Sequence, residues 1–291
     1  MAVAQPVVTT RDQLGEGILW CPHSQCVWWV DVLSATLHQL FWPHGTHRRH
    51  QLPFRRLGSI GPRAGGGLVV ATEQGIFGWS VERGVGAQLM APRWNVATHR
   101  LNDGRCDRAG RFWVGSMHDR DFVPEGTLFS LGPEGAVATH LGEVIVPNSI
   151  AFSPDDRSFF FADTRRYVIW QFDFDLASGS IRNRRPFVEF GAGPSRPDGS
   201  CVDAEGGLWN AAYAGGRVVR YASDGRVDQV VELPASYPTC VCLGGPDLDV
   251  LFITSASFPL SAGERAREPL AGGVFALPVS VKGLPEPMVQ A

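Results

Sequence analysis

The chain has 291 residues with a formal net charge of −3, which gives no electrostatic reason to expect nucleic acid or an anionic membrane as a partner. Hydrophobic residues make up 44% and charged residues 19%, the balance of a soluble globular protein, and no stretch approaches the length of a membrane-spanning helix. Its 34 Gly and 21 Pro follow no collagen period, so they demand a turn every few residues.

The first ten residues, Met1 to Thr10, lack a basic segment followed by an apolar one, and the expectation is a cytoplasmic protein. Cys21, Cys26, Cys106, Cys201, Cys240 and Cys242 are sparse for a disulfide scaffold and lack the paired spacing of a zinc ribbon. They read as reduced thiols.

Short runs rich in aromatic and β-branched residues recur along the chain. They are Cys26 to Asp31, Leu68 to Thr72, Phe112 to Ser116, Phe159 to Asp163, Leu208 to Tyr213 and Val250 to Thr254, and each reads as a strand. A second strand follows each after a polar or Gly-rich turn: Thr36 to Trp42, Gly75 to Ser80, Gly126 to Leu131, Val168 to Phe174, Arg217 to Ala222 and Gly273 to Val279. Most are preceded by a third, as in Arg105 to Asp107, Ser149 to Ser153 and Ser200 to Asp203.

Six such units at a period in the forties, with no amphipathic helix of ten residues, predict an all-β six-bladed β-propeller forming a single domain over residues 1–291. Nearly continuous apolar strands suit sheets covered on both faces, and only a closed ring covers all six. Pro6 to Val8 and Pro287 to Gln290 are expected to complete one sheet from both termini. The stretches Pro53 to Arg63 and Ser261 to Pro269 read as loops between strands.

In a propeller the innermost strands line a central channel, so equivalent repeat positions converge on one mouth. Counting back from each template strand gives Glu16, Asn102, Asn148 and Asp198, with Gly58 and Cys240 in the other two units. Asn-Asp-Gly and Pro-Asp-Gly are also ordinary turn sequences. Turns alone, however, do not require oxygen donors at matched offsets. Two carboxylates and one or two amide oxygens make a site for a divalent ion such as Ca²⁺, Mg²⁺ or Mn²⁺, with Zn²⁺ and Fe(II) also compatible.

The segments Leu14-Gly-Glu-Gly-Ile-Leu-Trp20, Arg100-Leu-Asn-Asp-Gly-Arg-Cys-Asp107, Gly110-Arg-Phe-Trp-Val-Gly-Ser-Met117, Arg196-Pro-Asp-Gly-Ser-Cys-Val-Asp203 and Ala271-Gly-Gly-Val-Phe275 jointly resemble the SMP-30/gluconolactonase/regucalcin-like family of sugar lactonases. The resemblance covers essentially the whole chain. It implies Glu16, Asn148 and Asp198 as metal ligands and Arg100 and Asn102 as substrate-binding groups, with His118 and Asp119 as further substrate contacts. Where the family usually has Asn-Gly, this chain has Asn148-Ser149, so Ser149 must either accept a positive φ or shift its loop.

The implied chemistry is hydrolysis of a sugar lactone, with the ion as Lewis acid, Asp198 as general base and Arg100 on substrate oxygens. Two alternatives share the scaffold: a phosphotriesterase or aryl esterase, and a calcium-binding propeller without turnover. His44, His47 and His50 read as a solvated hairpin loop, and His99 as a pocket or loop residue. Trp20, Trp113 and Trp209 read as core.

Overall fold

Each repeat forms an antiparallel sheet, and the six sheets stand in a ring in the computed structural model, which describes residues 2–291. The architecture is the expected six-bladed propeller. The inner strands are Gly15–Cys21, Leu57–Pro62, His99–Cys106, Pro147–Phe152, Arg196–Val202 and Pro238–Gly244. Each packs against the next and the last packs against the first. Inner strands are almost wholly buried, whereas outer strands such as Ser180–Glu189 are largely exposed. The core therefore lies between blades.

Apolar side chains of neighbouring blades interdigitate there. Trp28, Val30, Leu57, Val70 and Trp79 join the first two blades, and Trp113, Phe152, Phe159 and Phe174 join the third and fourth. Trp20, Trp113 and Trp209 are buried, as their sequence positions predict. Three indoles solve the problem of a buried N–H in the same way: Trp29, Trp113 and Trp209 donate to Asp12, Asp107 and Asp203, each at 2.8 Å. Truncating any of these tryptophans would cost about 3–5 kcal/mol.

The sequence reading placed Arg105 to Asp107 as a short strand after a turn. That strand is instead the longer His99–Cys106. Its polar head, His-Arg-Leu-Asn-Asp-Gly, mimics a turn but continues the ladder through a bulge. Every inner strand has a register shift just beyond its head, between Glu16 and Leu19, Leu57 and Ser59, Leu101 and Gly104, Asn148 and Ala151, Pro197 and Ser200, and Pro238 and Val241. A bulge re-aims side chains locally, and its repetition marks one functional level around the ring.

The two ends of the chain do different jobs. Gln5–Val8 pairs antiparallel with Val274–Pro278 and completes the sixth blade, as expected for Pro6 to Val8. Ala2–Val3 pairs parallel with Val231 and Glu232 and adds a fifth strand to the fifth blade. The expectation for Pro287 to Gln290 is corrected. That stretch crosses the far end of the channel, where Val289 bridges Arg63 and Gln290 N–H donates to the Gly110 carbonyl at 2.9 Å. The reason is its burial: Val289 is fully covered by Val69, Phe112 and Leu131 of the second and third blades. On the way, Glu286 pairs with Arg105 of an inner strand at 2.8 Å.

The histidine stretch is also corrected. Thr46–Gln51 is the outer strand of the first blade, not a loop. His47 stacks on His38 and Trp29, and His50 packs on Trp28 and Trp79. Only His44 lies in the turn, and it is exposed. The two stretches read as loops are corrected as well: Leu57–Pro62 is the buried inner strand of the second blade, and the stretch after Ser261 carries the short helix Ala262–Arg267, opened by a reciprocal cap between Ser261 and Glu264.

Candidate active site

The inner-strand heads bring Glu16, Asn102, Asn148 and Asp198 to one mouth of the channel, buried to between 2% and 6% exposure. Asn102 Nδ2 donates to Asn148 Oδ1 at 3.0 Å and to the Pro147 carbonyl at 2.8 Å. Asn148 Nδ2 donates to Thr164 Oγ1 at 2.8 Å, and that hydroxyl donates to the Pro197 carbonyl at 2.7 Å. One orientation of each carboxamide satisfies this chain, and it presents the Asn148 oxygen toward Asn102.

Ser149 resolves the question raised by the missing glycine. It takes φ +56, matching Gly17 at φ +57 after Glu16, so the loop does not shift. Its hydroxyl donates to the Asp198 carbonyl at 2.6 Å and accepts from Ser200 Oγ at 2.9 Å and Asn210 Nδ2 at 3.1 Å. A residue that looked like a defect anchors the strand bearing Asp198.

At the other two equivalent positions the reason is space. A Cβ on Gly58 would come within 2.2 Å of the Leu101 carbonyl oxygen, so a glycine lets the second blade approach the third. Cys240 packs against Gly199, where a Cβ would meet its sulfur at 2.5 Å.

Glu16 and Asp198 lie close enough at the mouth for each to act on the other's carboxyl. Burial pushes both carboxyls well above the usual carboxylate range. The negative charge of Asp103 raises Glu16 further, and those of Glu16 and Asp103 raise Asp198. Asp103, whose Oδ2 accepts from the Ile150 N–H at 3.0 Å, is itself raised by burial. Three acids this close resist ionising together without a cation among them.

Arg100 forms the cationic wall. Its Nε donates to Asp119 at 2.6 Å, and its Nη1 donates to the Leu101 carbonyl at 3.1 Å and to Asn102 Oδ1. Asp119 also accepts from Arg55 Nη1 at 2.8 Å and Arg56 Nε at 3.0 Å. Burial alone would raise the Asp119 carboxyl, but Arg100, then Arg56 and Arg55, hold it below the usual range. Its oxygens are committed to three guanidiniums, so in this arrangement it positions Arg100.

His118 lies beside His99, their rings edge to face at 4.9 Å. With Glu125 they place ligand atoms within 4.8 Å of one another, a group that could hold a metal ion. His118 Nδ1 accepts the Asp121 N–H at 3.0 Å, which puts the ring proton on Nε2. That tautomer suits donation to a ligand oxygen better than metal ligation.

Sequence reasoning missed Arg55, Arg56, Asp103 and Thr164. Asp103 was hidden inside a turn-like tripeptide. The arginines lie far from Asp119 in the chain, so no local spacing reveals them.

Buried oxygen donors cluster at one mouth of this six-bladed propeller, and the C-terminal segment crosses the far end. The chain belongs to the SMP-30/Gluconolactonase/LRE-like family, matched over residues 14–257. It is 37% identical over 283 residues to a 6-deoxy-6-sulfogluconolactonase of Pseudomonas putida, covering 97% of each chain. It is 32% identical over 286 residues to a pentonolactonase of Haloferax volcanii, covering 96% of each. Its fold matches the crystal structure of a calcium-binding protein, regucalcin, from Agrobacterium tumefaciens with a TM-score of 0.95 at 30% identity, over 100% of this chain and 98% of that one.

Proposed function

We propose that the protein hydrolyses a sugar lactone to the aldonic acid, with one divalent cation held by Glu16, Asn148 and Asp198. The observation that carries this reading is the convergence of those three side chains with Arg100 and Asn102 at one mouth, in a chain related to two named sugar lactonases. Carboxyls raised first by burial and then by one another's charge, together with a carboxamide oxygen, fit a hard or borderline cation. Such an ion, when bound, supplies Lewis acidity to the carbonyl and acidifies water.

The chain's own groups do the rest. Asp198 takes the proton from the attacking water and returns it to the ring oxygen as the acyl bond opens. Arg100, locked by Asp119 through Nε, keeps Nη2 for substrate oxygens, where a guanidinium also steadies developing negative charge. Asn102 fixes both Arg100 and Asn148, and His118, whose Nε2 lies 3.5 Å from Asp121 Oδ2, is assigned as a further substrate contact. The relatives' names differ in the sugar, so the class proposed is a sugar lactone.

The test is proton release from a panel of sugar lactones in weak buffer, with metal-stripped protein and each divalent ion in turn. Metal-dependent acceleration is expected, falling by about 10²–10⁴-fold in Asp198→Ala; an active Asp198→Ala enzyme would refute the assignment of the base. A second reading, calcium binding without turnover, is favoured by the likeness to calcium-binding regucalcin. Tight ion binding with no acceleration on any lactone or aryl ester selects it.

A further inference from the structure

The rim above the site carries two arginines that the mechanism does not use. Arg166 is paired with Asp163, and Arg55, Arg56 and Arg100 are committed to Asp119. Among the described residues, Arg165 and Arg196 have neither a carboxylate partner nor a side-chain hydrogen bond. Arg165 lies in the turn Thr164–Arg166, whose first residue holds Asn148. Its guanidinium stacks on Phe122 of the third blade, 4.3 Å from the ring centroid.

Arg196 heads the inner strand of the fifth blade, two residues before Asp198, and lies over Tyr167 at 5.2 Å. Its Nε is buried with no acceptor. A desolvated donor left unpaired costs about 1–3 kcal/mol unless a ligand supplies the partner. Tyr213, paired opposite Arg196, feels the charges of Asp198, Arg196 and Arg165, which puts all of them around one ring.

Stacking fixes the plane of a guanidinium and leaves its N–H edge free, the arrangement that recognises planar or tetrahedral oxyanions. Two residues of strand place Arg196 about 7 Å above Asp198. A lactone with its carbonyl at Asp198 would therefore bring the far end of its exocyclic arm to this pair. We infer that Arg165 and Arg196 form an anion-recognition pair and that the substrate is a sugar lactone whose exocyclic arm ends in a phosphate, sulfonate or carboxylate. The inference rests on the lactonase reading for the reaction but not for the binding of the anionic arm.

Glucono-1,5-lactone would be compared with its 6-phosphate and its 6-deoxy-6-sulfonate, and glucono-1,4-lactone with glucaro-1,4-lactone, each with the activating ion at fixed concentration. An anionic lactone is expected to exceed its neutral counterpart in kcat/KM by at least about tenfold. That ratio should collapse toward one in the Arg165→Gln/Arg196→Gln double variant, and Arg165→Lys should retain part of it. KM for the anionic lactone should rise with salt while the neutral one stays level. The phosphate, sulfonate and carboxylate arms rank the three sources.

A neutral lactone turned over as well as every anionic one, or a ratio indifferent to the double variant, overturns the inference while the lactonase reading stands. If no lactone is hydrolysed, calorimetric titration with gluconate and 6-phosphogluconate decides instead. Tighter binding of the phosphate, lost in the double variant, upholds the pair; equal binding refutes it.

Discussion

At the scale of single residues, Ser149 and Asp119 show how much the site depends on groups that need never touch substrate. Ser149 holds φ +56 and lends its hydroxyl to Asp198, Ser200 and Asn210. Ser149→Ala keeps the left-handed strain and loses the hydroxyl, whereas Ser149→Gly loses the hydroxyl but relieves the strain. The glycine variant should therefore be the more stable by about 1 kcal/mol in urea unfolding. Asp119 and Arg100 are a buried pair, with side chains 5% and 7% exposed. Asp119→Ala leaves Arg100 uncompensated, so a loss of about 3–5 kcal/mol is expected in the same measurement, together with a raised KM for any lactone. Unchanged stability would mean that the Arg100 charge is compensated without Asp119.

At the scale of strands, repetition made the fold legible. The apolar template runs, the turns between them and the count of six all came from pattern, and the matched offsets led to Glu16, Asn102, Asn148 and Asp198. Less legible were the outer strands, whose exposed polar faces carry little period, and the strand heads, where Arg-Leu-Asn-Asp-Gly looks like a turn because a bulge uses the same residues. Partners distant in sequence, such as Arg55 with Asp119 or Arg165 with Phe122, left no local trace. Blade spacing supplies a test. Gly58→Ala drives a methyl into the Leu101 carbonyl, so the second and third blades must part and the strand head that carries Asn102 must shift. Thermal unfolding should shift down by several degrees and lactone turnover should fall. Gly65→Ala, in an open turn with nothing within 4 Å, should change neither.

At the scale of the whole molecule, two buried histidines oppose folding in acid, while the raised carboxyls of Glu16 and Asp198 oppose it as pH rises. His38 is pushed down to about 3, first by burial and then by the neighbouring charges of His47 and Arg49, and His140 is pushed down to about 4 by burial and Arg111. Both fold as neutral rings, while the unfolded chain protonates them near 6.5. Unfolded molecules bind more protons below that value, so stability is full above it and lost as pH falls toward 4 and 3. The histidine part of the loss should reach roughly 2 kcal/mol each at pH 5, read as the difference in melting temperature against pH between the parent and a histidine variant. His140→Phe should flatten part of that slope. The paired N-terminal strands, one in the fifth blade and one in the sixth, bear on the order of events during synthesis. Residues 2–8 leave the ribosome more than 200 residues ahead of their partners at Val231, Glu232 and Val274–Pro278. A segment made early thus waits for partners made late, and until then two sheets keep open edges to which other chains can add. A translation product halted before Val274 would keep those edges open and be prone to aggregate.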